Sequence, residues 1–301
     1  MHLKYLKGTL YILGSAICFA SYGVWARLLG HQFDIFYQGW VRSAIILLIL
    51  LPFLLSGKQI KRIKKQDRKW FATTILFSLF TTVPLYFAYN HLPLGTATFI
   101  FYGFFLISSY GVGWLFLSEK LSTIKVISLI LAFIGLMLTF GLSLAAFSIT
   151  AMALAALNGI ASGGEIATSK KSTHFYSSFQ VCVYSGIWVL LTHLPISLLL
   201  GERLLAPALN FDWLAMLCYS ISGIGGYWLV IEGFKYVDAS IGGLIGLLEI
   251  PLSLLSGILF FDDPISLSVI LGGILIIASA VLPDIYAWKK RGEVPLPPPI
   301  L

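Results

Sequence analysis

The stretch ASIGGLIGLLEIPLSLLSGILFFDDPIS, Ala239 to Ser266, decides how the rest of the chain is read. From Ala239 to Phe261 it carries a single charge, and at a rise of about 1.5 Å per residue it is long enough for a helix to cross a hydrocarbon core about 30 Å thick. That charge, Glu249, falls near the middle, about 15 Å from either interface. A glutamate is too short to reach water from there, and an ionised group at that depth costs about 3 kcal/mol or more, a cost that marks a functional residue. Two residues on, Pro251 has no N–H to offer the carbonyl of Leu247, so the helix is expected to open beside the carboxylate and leave that carbonyl as a second acceptor. Gly242, Gly243 and Gly246 form a small face where another helix can approach closely.

Composition bounds the class. With 58% hydrophobic residues, 11% charged residues and a mean hydropathy of +0.91, a soluble domain of 301 residues would have to expose apolar surface continuously. The chain reads as an all-α polytopic membrane protein surrounded by the lipid bilayer. Cys18, Cys182 and Cys218 lie inside apolar runs without metal-ligand spacing and read as small buried hydrophobes. The net charge of +7 comes from basic residues beside the apolar runs, where a cytoplasmic membrane face accounts for them without nucleic acid. His31 and Asp34 form a lone HxxD, and there is no Gly-rich phosphate loop, HExxH or CxxC. No enzyme, cofactor or metal site is expected.

Ten spans follow in order: about Gly8 to Leu29, Ile35 to Leu55, Trp70 to Tyr89, Thr96 to Leu117 and Ile124 to Leu144, then Phe147 to Ser169, Phe179 to Leu200, Trp213 to Phe234, Ala239 to Phe261 and Ile265 to Ala287. Their length, and the lack of strand alternation, predict helices throughout. The first span is too long for a signal peptide and is expected to be retained. The tail, 289–301, ends in the proline-rich PLPPPIL and is expected to be disordered and cytoplasmic. If the N-terminus is cytoplasmic, 17 of the 20 Lys and Arg residues fall in inner segments, leaving Arg27, Arg42 and Arg203. The positive-inside rule therefore places both termini in the cytoplasm.

The chain also repeats. FLSEKLS, Phe116 to Ser122, matches FFDDPIS, Phe260 to Ser266, at an offset of 144, pairing Glu119 with Asp263. Ala20, Ser21, Gly23 and Ala26 are echoed by Ala161, Ser162, Gly164 and Ala167. Both echoes pair a span with the fifth one after it. Because five is odd, the halves 5–144 and 146–288 are expected to be two inverted five-helix repeats, with a site near the midplane between them.

Ten spans in a five-plus-five repeat, SYGVWARLL closing the first helix, Arg42 in the second, Leu248-Glu249-Ile250-Pro251 in the ninth, and the FLSEKLS and FFDDPIS turns together resemble the drug/metabolite transporter superfamily, in particular its EamA-type members. The resemblance covers about residues 5 to 288. It implies a cavity between the halves, alternating access, and export or exchange of a small metabolite such as an amino acid across a bacterial inner (plasma) membrane. The chain departs from the family pattern where Ile250 separates Glu249 from Pro251, where Asp263 stands for a glutamate, and where Ile107 stands at the repeat position of a proline.

Other intramembrane polar residues have two readings each. Arg42 either reaches the outer interface along its own stem or pairs with a carboxylate or solute. Glu165, which follows Asn158, Gly159, Ser162 and Gly163, lies on a small polar face suited to a helix contact or to a cavity wall. Glu232 has Lys235 three residues on, the spacing of a surface pair. Glu119 and Asp263 stand where each would cap the helix that follows it. Tyr22, Trp25, Tyr86, Tyr89, Tyr102, Trp188 and Trp228 are packing, belt or stacking residues, and Trp25 and Tyr102 are the chosen cavity walls. Reporter fusions are expected to place the loop from Lys58 to Lys69 and the tail after Lys289 on the cytoplasmic side. An external loop there would sink both the span order and the inverted repeat.

Overall fold

Hydrocarbon offers no partner for a backbone N–H or C=O, so a chain of this composition is driven into helices that satisfy those groups internally. The computed structural model describes residues 2–29, 32–56, 60–81, 83–92, 94–141, 148–173, 175–262 and 265–292. These form α1 (His2–Leu29), α2 (Ile35–Leu55), α3 (Arg68–Ser78), α4 (Val83–His91), α5 (Leu94–Leu117), α6 (Thr123–Phe140), α7 (Ile149–Ser172), α8 (Ser178–Leu199), α9 (Phe211–Phe234), α10 (Ala239–Gly246), α11 (Glu249–Phe261) and α12 (Leu267–Gly292), with no strand among the described residues. Among the described residues eight stretches are long and apolar enough to cross a membrane, and Leu267–Pro283 is a shorter apolar helix. Of the tail expected to be disordered over 289–301, residues 289–292 instead continue α12, and the rest lies outside the described residues.

The third expected span, Trp70 to Tyr89, is not one helix but two, α3 and α4. Pro84 is the reason: it has no N–H for the carbonyl four residues back, that of Phe80. The side chain of Asn158, fully buried on α7, supplies the missing donor, its Nδ2 reaching Phe80 O at 2.9 Å. Pro251 has the corresponding effect on the carbonyl of Leu247, and the ninth span divides into α10 and α11 at Leu247 and Leu248. Here the repair is local. Ile250 N–H donates to Leu247 O at 2.9 Å, so this carbonyl is not the spare acceptor expected from the sequence. Pro251 itself sits in the first turn of α11, where a missing N–H costs little.

Neighbouring helices run in the directions the spans require. Helix α1 lies antiparallel to α9, with Gly8 against Val237 at one end and Tyr22 stacked on Tyr219 at the other. Thr74 of α3 meets Thr168 of α7 at 3.1 Å, and Phe77 lies against Gly164. Helices α5 and α7 run parallel, α2 packs on α8, α6 on α12, and α11 on α1. Ser118 and Asp262, 144 positions apart at the ends of α5 and α11, are the two described non-glycine residues with positive φ, at 57° and 53°. The FLSEKLS and FFDDPIS turns thus share an unusual backbone position as well as a pattern.

Glycines set the closest approaches. A Cβ on Gly159 or Gly163 would come within 2.3 Å of Phe101 O or 2.4 Å of Phe105 O, so α5 and α7 touch through backbone. The expected small face of the ninth span is split. A Cβ on Gly242 would strike the Phe234 ring at 2.6 Å, whereas one on Gly246 would meet nothing within 4 Å. Gly246 faces the central cavity and is not a helix contact. Gly163→Leu or Gly242→Leu is expected to cost about 1–3 kcal/mol by overpacking and to lower the melting temperature of the detergent-purified protein, while Gly246→Ala leaves it unchanged. A thermal shift series reads both, and equal losses at Gly246 would contradict the open face.

Candidate functional site: a central cavity closed at its basic end

Helices α1, α2, α3, α5, α6, α7, α8, α9, α10 and α11 contribute residues to a cavity of about 750 Å³. That size suits a small organic solute. Among the described residues its charged lining is Arg42, Glu165 and Glu249, with Tyr22, Ser78, Thr81, Thr98, Tyr102, Asn158, Ser162, Ser185 and Tyr227 as further polar groups. The helix breaks bring two of these in: Asn158 through the gap between α3 and α4, and Glu249 as the first residue of α11. A carboxylate there also meets the positive end of a helix dipole, worth about 0.3–1 kcal/mol.

Each charge is held by tyrosine. Arg42 Nη1 donates to Tyr22 Oη at 2.6 Å, and its guanidinium carbon stands 5.7 Å from the ring centres of both Tyr22 and Tyr219. Those rings stack at 4.0 Å and their hydroxyls are hydrogen-bonded to one another. Cation–π contact of this kind is worth about 0.5–2 kcal/mol. Arg42 thus lines the cavity against two tyrosines, neither of them the carboxylate or solute of its second reading. Glu165 Oε1 accepts from Tyr227 Oη at 2.6 Å, and that hydroxyl lies 3.3 Å from Ser185 Oγ. Glu165 is 6% exposed and lines the cavity. Glu249 Oε1 accepts a hydrogen bond from the Tyr102 hydroxyl, and the Tyr102 ring lies parallel to that of Phe140.

Of the residues singled out by sequence, Glu249, Arg42, Tyr102, Asn158 and Glu165 therefore line one cavity, whereas Pro251, in the first turn of α11, is not among its lining residues. Trp25 does not. It packs against the separate cluster of Leu29, Phe33, Tyr37, Val41, Ala215, Met216 and Tyr219, because its helix turns that side toward α2 and α9. Trp188 and Trp228 are 46% and 41% exposed on the outside of the bundle. The side chains of Tyr86 and Tyr89 lie outside the described residues. Sequence reading passed over Tyr219 and Tyr227. Their signal was the four-residue spacing Tyr219, Gly223, Tyr227, which puts all three on one face of α9.

The cavity ends differently in its two directions. Its lining reaches Phe140 and Phe261, the last residues of α6 and α11. Toward the opposite, lysine-rich end it stops at Ile166, Phe234 and Gly242, beneath which charges join the two halves of the chain. Glu119 Oε1 accepts from the Ala239 N–H at 2.7 Å and from Lys170 Nζ at 3.0 Å. Lys170 also reaches Val237 O at 2.9 Å, and Lys125 Nζ pairs with Asp238 Oδ2 at 2.8 Å. Glu119 thus caps a helix, but it is α10 of the other half and not α6, the one that follows it. The left-handed turn at Ser118 makes this possible by folding the carboxylate back beside Gly113. Asp263 lies outside the described residues. At the other end Glu202 does similar work for α2, accepting from the N–H groups of Phe36 at 3.0 Å and Tyr37 at 2.6 Å.

Glu232 and Lys235 form the expected pair at 2.6 Å, both partly exposed. Glu119→Ala strips a buried cap and an ion pair, and is expected to cost about 1–3 kcal/mol. Glu232→Ala is expected to change stability by less than about 1 kcal/mol. Thermal unfolding in one detergent compares them directly, and equal shifts would contradict the capping role.

The comparisons with known proteins agree with this architecture. The chain is similar over 94% of its length to a solved crystal structure of a protein, of which it covers 98%, at 17% identity and a TM-score of 0.74; at that identity the likeness speaks to fold alone. No curated protein matches the sequence. The pattern of the EamA-like transporter family matches twice in succession, over residues 6–141 and again over 149–282. With nearly the whole chain accounted for by those two matches, the protein belongs to the EamA-like transporter family.

Proposed function

We propose that the protein is a secondary carrier, without enzymatic activity, that moves a small organic metabolite such as an amino acid across the bilayer by alternating access of two inverted five-helix halves, 5–144 and 146–288. The observation that carries this reading is the central cavity. Residues from both family repeats line it, its lining reaches the last residues of α6 and α11 at one end, and an ion-pair cluster drawn from both halves lies across the other. Such a cluster closes one face without covalent cost and can be broken by rocking one half against the other. The packing supports the two-fold relation. Exchanging each span for the fifth one on turns the α1 and α9 contact into that of α7 with α3, and the α5 and α7 contact into that of α10 and α11 with α1. Helices α2 with α8, and α6 with α12, map onto themselves.

With the lysine-rich end in the cytoplasm, the end of the cavity lined by Phe140 and Phe261 is the outer one. Glu249 is the binding or coupling group, able to take a proton or an ammonium in one facing state and release it in the other. Arg42 receives a carboxylate, Tyr102 and Glu165 complete the polar wall, and Asn158 keeps the α3 and α4 break in place. A non-transporting receptor of the same fold is the second reading, favoured by the tyrosine partner that each charge already has. Purified protein in liposomes separates them. Wild type is expected to catalyse amino-acid counterflow, and Glu249→Gln to insert normally but lose at least tenfold in flux, or to lose its pH dependence. Superimposable flux against pH for the two proteins means Glu249 is a core hydrogen-bonded group. A correctly folded wild type with no solute flux establishes the receptor reading.

A further inference from the structure

The cavity is unbalanced in charge. Among its described lining residues one cation, Arg42, faces two carboxylates, Glu165 and Glu249. Tyr227 and Tyr102 give each carboxylate one hydrogen bond, but a neutral phenol cancels no charge. Neither carboxylate has an ion-pair partner among the described residues. A carrier passes through a state closed at both ends, and an unmatched charge is most costly there, where water is excluded.

The layout also sorts the charges by level. Along α9, Arg42 stands beside Tyr219 and its Nη1 lies 4.0 Å from where a Cβ on Gly223 would stand, while Tyr227, one turn or about 6 Å beyond Gly223 towards the lysine-rich end, holds Glu165. On α11, Ser253 Oγ lies 4.0 Å from where a Cβ on Gly23 would stand, next in the chain to Tyr22, and Glu249 is one turn nearer the lysine-rich end. The cation is at one level and both carboxylates lie below it, on α7 and α11. Phe101, Phe105, Val189 and Ile224 supply apolar wall between.

A solute with one carboxylate and one ammonium matches Arg42 and a single glutamate, leaving the other alone. One with a carboxylate and two ammonium groups matches all three. Building on the carrier reading above, we propose that the solute is a net-cationic α,ω-diamino acid, its carboxylate on Arg42, one ammonium on each of Glu249 and Glu165, and its methylene chain along the apolar wall.

The test uses the full-length protein in liposomes and compares counterflow of L-lysine with that of L-norleucine, which keeps the chain and lacks the second ammonium. Wild type is expected to favour lysine at least tenfold. Glu165→Gln is expected to bring the ratio of the two rates towards one, and Glu165→Asp, which retains the charge, to keep the preference. Equal rates for wild type, with norleucine exchange rising as pH falls, would mean that a proton balances the spare carboxylate; that result overturns the diamino-acid assignment and leaves the carrier intact. Lysine preference that survives Glu165→Gln overturns the assignment too. Absence of counterflow with every amino acid offered overturns both readings together.

Discussion

A polar group inside hydrocarbon must find its partner in the protein, because the surroundings supply none. The two proline breaks show how far that constraint reaches. Pro84 and Pro251 each deprive a carbonyl of its helical donor, and each loss is made good in a different currency: a side-chain amide from α7 for Phe80, a tightened turn for Leu247. The first repair ties the break between α3 and α4 to a distant helix. The second leaves Glu249 at the head of a new helix, where it lines the cavity.

The same rule governs the charges. Arg42, Glu165 and Glu249 lie within membrane-spanning helices, and each is hydrogen-bonded to a phenol. A phenol solvates an ion without neutralising it. At the lysine-rich end the choice is the reverse. Glu119, Lys170, Lys125 and Asp238 neutralise one another directly, and the first turn of α10 is capped in the process. Paired charges lie across one end and phenol-held charges line the middle.

Glycine placement sets the rigid and the adjustable contacts. Gly159 and Gly163 bring α7 onto the backbone of α5, a contact that no larger residue could share. Gly246, by contrast, leaves open space beside Glu249. Residues of the same type thus serve close packing in one helix pair and cavity volume in another.

Much of this was legible in the chain itself. Hydropathy and length decide the membrane class and the helices, since lipid leaves the backbone no alternative, and the depth of Glu249 marks it because burial of a charge is costly wherever it occurs. The repeat of FLSEKLS in FFDDPIS was legible too, and its shared left-handed residue follows from a turn that both halves need. What the chain could not disclose is who partners whom across space. Glu119 reads as a cap for the helix that follows and instead caps α10, 120 residues away, because Ser118 turns it back. Trp25 reads as a cavity wall and packs to the side, since helix rotation is set by neighbours and not by residue type. The freed carbonyl of Leu247 is claimed by Ile250, and Gly246 lines space where Gly242 lines a contact. Local pattern fixes what a residue needs, and only the tertiary structure decides which neighbour meets that need.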